Sequence, residues 1–334
     1  MMIDLGTKRL TIGIDAGGTS TRATVLAEPS ECLGYGASAS GNPTSAGVER
    51  ARDSVLDAVG QALERAGRRI DEVDVIVTAM AGHGARGEDA WLRDALVERG
   101  FRGDLSFDSD LLALYYSGTA AADGYAIVSG TGAAVIRVEN SQLAATSDGL
   151  GWLLGDRGSG FWIGHHVALA AVEHLDGRGP ETTLTDAVLR AYDVQPSDPR
   201  GYGRAWELEG VIREMYLQRP VELARLAPLA TQAVGDPVAD AILREAGELL
   251  ARTFRAVHRG PGPLVIGGGV LSQPGAVADT FAERAGEIEP GAELVRVGDG
   301  VVGVSLLALR RAGIEVGEAD HPALVDAVSA ARAE

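Results

Sequence analysis

A chain of 334 residues, 46% hydrophobic and 23% charged, has room for two globular domains, each with a core of its own. Its net charge of −17 argues against nucleic acid and anionic membrane as partners, so any phosphate site must be built locally from backbone amides, a metal and few side chains. The single cysteine, Cys32, excludes a disulfide framework, a thiol zinc knuckle and an iron–sulfur cluster held by one chain, and the only lysine, Lys8, excludes Walker A, protein-kinase and Schiff-base lysine chemistry in the body of the chain.

In chain order, residues 10–15 form an apolar strand, Gly17-Gly18 turn it, and 21–27 return with alternating apolar positions. Residues 31–38 give a third strand, and the loop Gly41-Asn42-Pro43-Thr44-Ser45 leads into a helix over 46–66. A buried strand at 73–79 ends in the glycine-rich stretch Ala81-Gly82-His83-Gly84. A helix over 88–99, a short strand near 104–107 and the acidic cluster Asp108-Ser109-Asp110 follow, then a Leu/Ala-rich helix from Leu111. The second half restarts this grammar: strand 125–129, the turn Gly130-Thr131-Gly132, a returning strand over 133–138 and a third element near 142–149. A helix begins near 161, helices dominate 166–258, and the strand 264–266 ends in Gly267-Gly268-Gly269.

The repeated strand–glycine turn–strand unit predicts an internal duplication of architecture, with a boundary near 118–123. Two such turns can close on one polyphosphate from opposite sides. Glycines let backbone N–H groups approach anionic oxygens where a Cβ would clash, and Thr19 and Thr131 add hydroxyl donors. The pattern points to an ATP-using enzyme with a two-lobed cleft. The adjacent histidines His165 and His166 lack metal-ligand spacing, and Trp152 and Trp162 read as packing or pocket wall.

These motifs resemble the N-acetylglucosamine kinase branch of the BadF/BadG ATPase-like proteins, within the actin–hexokinase–Hsp70 superfamily. The likeness rests on the run from Gly13 to Arg22, Gly41-Asn42-Pro43, Ser109-Asp110, Ser129 to Gly132, Gly149-Leu150-Gly151 with Leu153 to Asp156, and Gly267 to Gly269, all in the expected order. It implies an α/β, actin-like (ribonuclease H-like) fold of duplicated βββαβαβα domains. Residues 1–119, joined by a C-terminal helix over 320–334, would form the sugar and phosphate side, and 120–319 the adenosine side. By the same resemblance Asp15 would help to hold Mg²⁺, while Gly17, Gly18, Thr19, Gly130, Thr131 and Gly132 would wrap the ATP phosphates. Gly268 and Gly269 would pack beneath adenine or ribose. Asp110, with Asp108 as rival, would be the catalytic base, and Asn42, Asp110, Thr131, Gly149, Leu150 and Asp156 would meet the sugar.

The branch commonly carries tryptophan, serine and glutamate where Leu150, Ala133 and Arg157 stand, and these departures cluster on the sugar loop. Arg157 could pair with Asp156 or face an anionic substituent, and Asp148 with Asp156 could form an acidic pocket for an ammonium. The expected activity is ATP-dependent phosphorylation of the 6-hydroxyl of an amino sugar, N-acetylglucosamine first, with glucosamine or N-acetylmuramic acid as alternatives. An activator ATPase would need cluster-binding cysteines, a sugar-responsive regulator would need a DNA-binding helix pair, and a pseudokinase would not need Asp15 and Asp110. No nucleic acid or membrane partner is expected. A homodimer through the apolar helical segment 166–258 is plausible on composition, and a cytoplasmic location is expected because no apolar run reaches a membrane span and the N-terminus has no signal-peptide core.

Overall fold

A computed structural model describes residues 9–80, 90–195 and 203–334. Lys8 and the stretch Ala81-Gly82-His83-Gly84 lie outside the described residues, as does the start of the helix expected from residue 88. The chain divides into two compact units. Unit 1 comprises Met1–Ala126, Val138–Leu143 and Val295–Glu334, and unit 2 comprises Ile127–Arg137 and Ala144–Leu294.

Unit 1 is built on strands β1 (Thr11–Ala16), β2 (Ser20–Glu28), β3 (Glu31–Ala39), β4 (Val75–Met80) and β5 (Asp104–Asp108), in the order β3-β2-β1-β4-β5. The first three form the expected antiparallel meander, and β4 and β5 add in parallel to β1. All residues of β1 and β4 are buried, as central strands covered on both faces must be. One face packs on helix Val48–Ala66, whose Val55, Val59 and Leu63 meet Ile12, Ile14 and Val25 in a single core cluster. The other face carries helix Val301–Arg311, placed by Val304 and Ala308 against Val75, Val77 and Ala79, and by a buried 2.6 Å hydrogen bond between the hydroxyls of Thr24 and Ser305.

The return to unit 1 thus begins at Val295, well ahead of the residue 320 expected from sequence, because helix Val301–Arg311 completes the cover of a sheet face on which an earlier helix packs only through Ala113 and its neighbours. The first part of unit 1 also runs on to Ala126, past the expected boundary at 118–123, since the new strand begins within it.

Strands β6 (Gly124–Ser129), β7 (Ala133–Glu139), β8 (Gln142–Asp148), β9 (Leu264–Gly267) and β10 (Leu294–Arg296) form the second sheet, ordered β10-β9-β6-β7-β8. Read from the other edge, this is the order of the first sheet, and the duplication read from the glycine turns is present in the strand order. Around it in unit 2 lie helices Gly160–Leu175, Leu184–Ala191, Trp206–Tyr216, Pro237–Val257 and Ala276–Ile288.

Helix Pro237–Val257 is anchored by Asp236, whose Oδ1 accepts from the amides of Val238 and Ala239 while Oδ2 accepts from the Thr182 hydroxyl and from both the amide and the hydroxyl of Thr183. Burial works against this charge, but the Thr183 and Thr182 bonds outweigh it and hold the carboxyl down at about 2. A depressed carboxyl contributes stability that is complete above its unfolded-state value, near 4, and is lost as pH falls toward 2. Asp236→Ala should cost about 2 kcal/mol at pH 7 in urea unfolding, the sum of a lost cap and of orphaned donors. The gap between the unaltered protein and Asp236→Asn should narrow as pH falls from 4 to 2; a gap that widens over that range contradicts the assignment.

Candidate active site

In the β1–β2 hairpin Asp15 and Arg22 stand directly opposite each other, and directly opposed residues of an antiparallel pair share a face. The turn between the strands is closed by Gly17 N–H donating to the Ser20 carbonyl at 3.0 Å. Gly18 and Thr19 are exposed at its tip, and their amides have no hydrogen-bond partner among the described residues. Free amides at a glycine tip beside an arginine are the chemistry that accepts phosphate oxygens.

Asp15 is buried. Its Oδ2 accepts from the Gly300 amide at 3.1 Å and lies 3.5 Å from Arg22 Nη1, while Oδ1 has no partner among the described residues. Burial above all, then the nearby Asp299 carboxylate, push the carboxyl up to about 6 against the opposing pull of Arg22. Folding therefore favours the protonated form, and stability is lost as pH rises from about 4 through 6 and the charge appears. A leftover carboxylate oxygen where negative charge is costly fits a hard dication that keeps most of its water. Among the described residues no group of three or more His, Cys, Asp or Glu side chains is placed to hold a metal ion, so a Mg²⁺ here would rest on Asp15, water and phosphate oxygens.

Asp110 opens helix Asp110–Gly118. The cap of that helix is Ser109, whose hydroxyl accepts from Leu111 N–H, so neither Asp108 nor Asp110 serves as N-cap. Asp110 is half-buried, and burial raises its carboxyl above the ordinary range although the Leu111 amide donates to it at 2.9 Å. Its charge is felt at Asp15, which brings the two predicted acids of unit 1 into one electrostatic neighbourhood. Asp108 is bonded to the Ser109 amide. Asn42 is buried with 4% exposure, and its Oδ1 caps the turn Pro43–Ala46 by accepting from Thr44 N–H at 2.8 Å. The side chain does the work of a turn residue.

In unit 2 the turn at Gly130, Thr131 and Gly132 is docked on helix Gly160–Leu175. Gly160 N–H donates to the Gly130 carbonyl at 2.7 Å and Phe161 N–H to the Thr131 carbonyl at 3.1 Å. Gly268 adopts φ +89°, and a Cβ on it would lie 2.4 Å from the Ser129 carbonyl carbon. Its need for glycine arises from the protein's own backbone rather than from a ligand, whereas Gly269 is exposed with open space around it. Gly269 also lines a cavity of about 400 Å³ with Ile163, Leu243, Val270, Gln273 and Val277.

The loop Asp148–Asp156 is held from within. Asp148 accepts from Asp156 N–H at 2.7 Å on Oδ1 and from Arg157 N–H at 3.0 Å on Oδ2. Asp148 and Asp156 both take left-handed conformations, at φ +62° and +55°, and a Cβ on Gly155 would come within 2.1 Å of the Asp148 carboxylate. Asp156 accepts from Ala133 N–H at 3.2 Å and sits against Gly132, so it joins this loop to the Gly130–Gly132 turn. Each Asp148 oxygen thus accepts from one backbone amide, so the carboxylate expected to join Asp156 in an acidic pocket also fastens the loop. Arg157 is exposed and forms no ion pair with Asp156 among the described residues. Leu150 is 65% exposed beside the exposed Gly149. His166 bonds the Trp162 carbonyl and stacks on that ring, a packing role.

Sequence reading left Asp299, Gly300 and Arg332 without a role. The Asp15–Arg22 pairing was available from the hairpin register once the turn was set at 17–19. Nothing local in the sequence marks the other three.

Compared with known proteins, the chain is 26% identical over 325 residues to an N-acetyl-D-glucosamine kinase of Dictyostelium discoideum, spanning 90% of this chain and 98% of the relative. It is 25% identical over 250 residues to an N-acetylmuramic acid/N-acetylglucosamine kinase of Clostridium acetobutylicum, spanning 74% of this chain and 78% of that one. The crystal structure of a Chromobacterium violaceum protein assigned as an N-acetylglucosamine kinase superposes with a TM-score of 0.70 at 26% identity, over 90% of this chain and 99% of that one. With two five-stranded sheets of repeated order, this likeness identifies the fold as the two-lobed actin-like ATPase fold. The model of the BadF/BadG/BcrA/BcrD ATPase family matches residues 12–308, and the chain belongs to that family.

Proposed function

We propose that the protein is an ATP-dependent kinase of an amino sugar, transferring the γ-phosphate to the 6-hydroxyl, with N-acetylglucosamine as preferred acceptor. The observation that carries the reading is Asp110, a half-buried carboxyl with raised proton affinity, in the same unit as a buried acid suited to a hydrated cation and a turn with free amides. The relatives named as N-acetylglucosamine and N-acetylmuramic acid kinases support it.

In this reading Gly17, Gly18 and Thr19 of unit 1 and Gly130, Thr131 and Gly132 of unit 2 bind phosphate oxygens. The cavity beside Gly269 takes the nucleoside, Gly268 holding that loop on Ser129. Mg²⁺, held through Asp15, would supply neutralisation of the phosphate charge. Asp110 accepts the proton of the 6-hydroxyl as that oxygen bonds to the γ-phosphorus, the bond from phosphorus to the β-bridging oxygen breaks, and ADP leaves. Asn42, Thr131, Gly149, Leu150 and Asp156 form the acceptor set. Asn42 and Asp156 act chiefly by shaping their loops, given the bonds each already makes.

The choice among acceptors follows from Asp148. Each of its oxygens already accepts from a backbone amide, which ties this carboxylate to its own loop, and the exposed side chains beside it at Leu150, Leu153 and Leu154 offer apolar surface to an acyl group. An acylated amino sugar is favoured over glucosamine.

Asp110→Asn should bind an ATP analogue with nearly unchanged affinity while kcat falls by about a thousandfold, the middle of the range for loss of a general base. Unaltered turnover would overturn the assignment of the base. Asp148→Ala should release the sugar loop. Acceptor KM is expected to rise about tenfold, the equivalent of one lost buried hydrogen bond, with KM for ATP unchanged. A rise in the ATP term alone would show that the loop serves the nucleotide instead.

A further inference from the structure

Asp299 lies just ahead of helix Val301–Arg311 and is the most heavily partnered carboxylate among the described residues of unit 1. Arg22 Nε approaches it at 3.1 Å, Arg332 Nη2 reaches its carboxylate at 3.0 Å, and the Val301 amide donates to Oδ1 at 3.2 Å. Its side chain is only 11% exposed. Arg22 also reaches Asp15, so one guanidinium is shared by two carboxylates and a second, from the last turn of helix His321–Ala333, covers the outer of them. Arg332 is itself steadied over the ring of Tyr35, 5.3 Å from its centroid. Two acids and two arginines balance. The neighbouring Asp110 leaves the group one negative charge in excess when all are ionised.

This balance bears on phosphate binding, since Arg22 and Asp15 flank the turn whose tip amides are free. With Arg332 in place, Asp299 is satisfied and Arg22 remains divided between the two acids. Without that charge, Asp299 would draw Arg22 to itself, and the turn would face an additional uncompensated negative charge. We propose that Arg332 is a positioning residue which sets the charge at the phosphate turn, by satisfying Asp299 so that Arg22 stays shared with Asp15. The inference rests on the functional reading above, in which the turn at Gly17, Gly18 and Thr19 binds nucleotide phosphates.

The electrostatic sign gives a test that simple packing cannot imitate. An added negative charge repels metal-free nucleotide about twice as strongly as its magnesium complex, which carries two fewer negative charges. Binding of a non-hydrolysable ATP analogue should be measured by calorimetry at low salt, with and without Mg²⁺, because screening at high salt hides the effect. Arg332→Gln should weaken metal-free binding about tenfold and magnesium-complex binding about threefold, raising the ratio between them. Arg332→Lys should restore both. Asp299→Asn should shift the ratio the opposite way, and the double variant Asp299→Asn/Arg332→Gln should return it near the starting value. Equal weakening of both complexes, with no recovery in the double variant, would overturn the inference and leave Arg332 a packing residue of the last helix. Absence of any nucleotide binding by the unaltered protein would instead overturn the functional reading, and this inference with it.

Discussion

A carboxylate buried at the end of a central strand is the constraint on which the rest of unit 1 depends. An ionised acid in that position is costly unless it is paired and hydrogen-bonded, and Asp15 is only partly so. Arg22 faces it because the hairpin register requires it. The Gly300 amide reaches it because helix Val301–Arg311 is fixed on the sheet by Val304, Ala308 and the Thr24–Ser305 bond. What remains is one carboxylate oxygen without a protein partner among the described residues. In the function proposed above, a hydrated dication bound to phosphate would use it.

Unit 2 repeats the strand order but spends its polar groups differently. Its turn at Gly130–Gly132 is tied by backbone bonds to a helix start, and its acids Asp148 and Asp156 take left-handed conformations to fasten a loop. The same architecture therefore supports a charged site in one unit and a backbone-shaped one in the other. The chemistry of a site resides in such local arrangements rather than in the fold.

Much of this was legible in the sequence. The meander at 11–39, the strand–turn–strand restart at 124–139 and the C-terminal helix follow from apolar alternation and glycine position, signals carried by neighbouring residues. The family resemblance holds over residues 12–308. Helix Val301–Arg311 and the early return to unit 1 were not legible, since nothing local shows which sheet face a late helix will cover. The same limit hid Asp299 and Arg332: Asp299 meets Arg22, and Arg332 lies over Tyr35, each hundreds of positions away in sequence. Asn42 and Asp148 show a further limit: residue type and motif position mark a polar group, and only the structure shows that its oxygens already accept from backbone amides.

The central claim, that this unit pair phosphorylates an acylated amino sugar, is tested most directly by acceptor-dependent release of ADP. Purified protein with MgATP should be offered N-acetylglucosamine, N-acetylmuramic acid, glucosamine, N-acetylmannosamine and glucose in turn. The strongest stimulation is expected from N-acetylglucosamine and markedly less from glucosamine, which lacks the acyl group that the exposed Leu150, Leu153 and Leu154 would meet. Preference for glucosamine would contradict the reading of the sugar loop, and stimulation by none of the five would contradict the kinase itself.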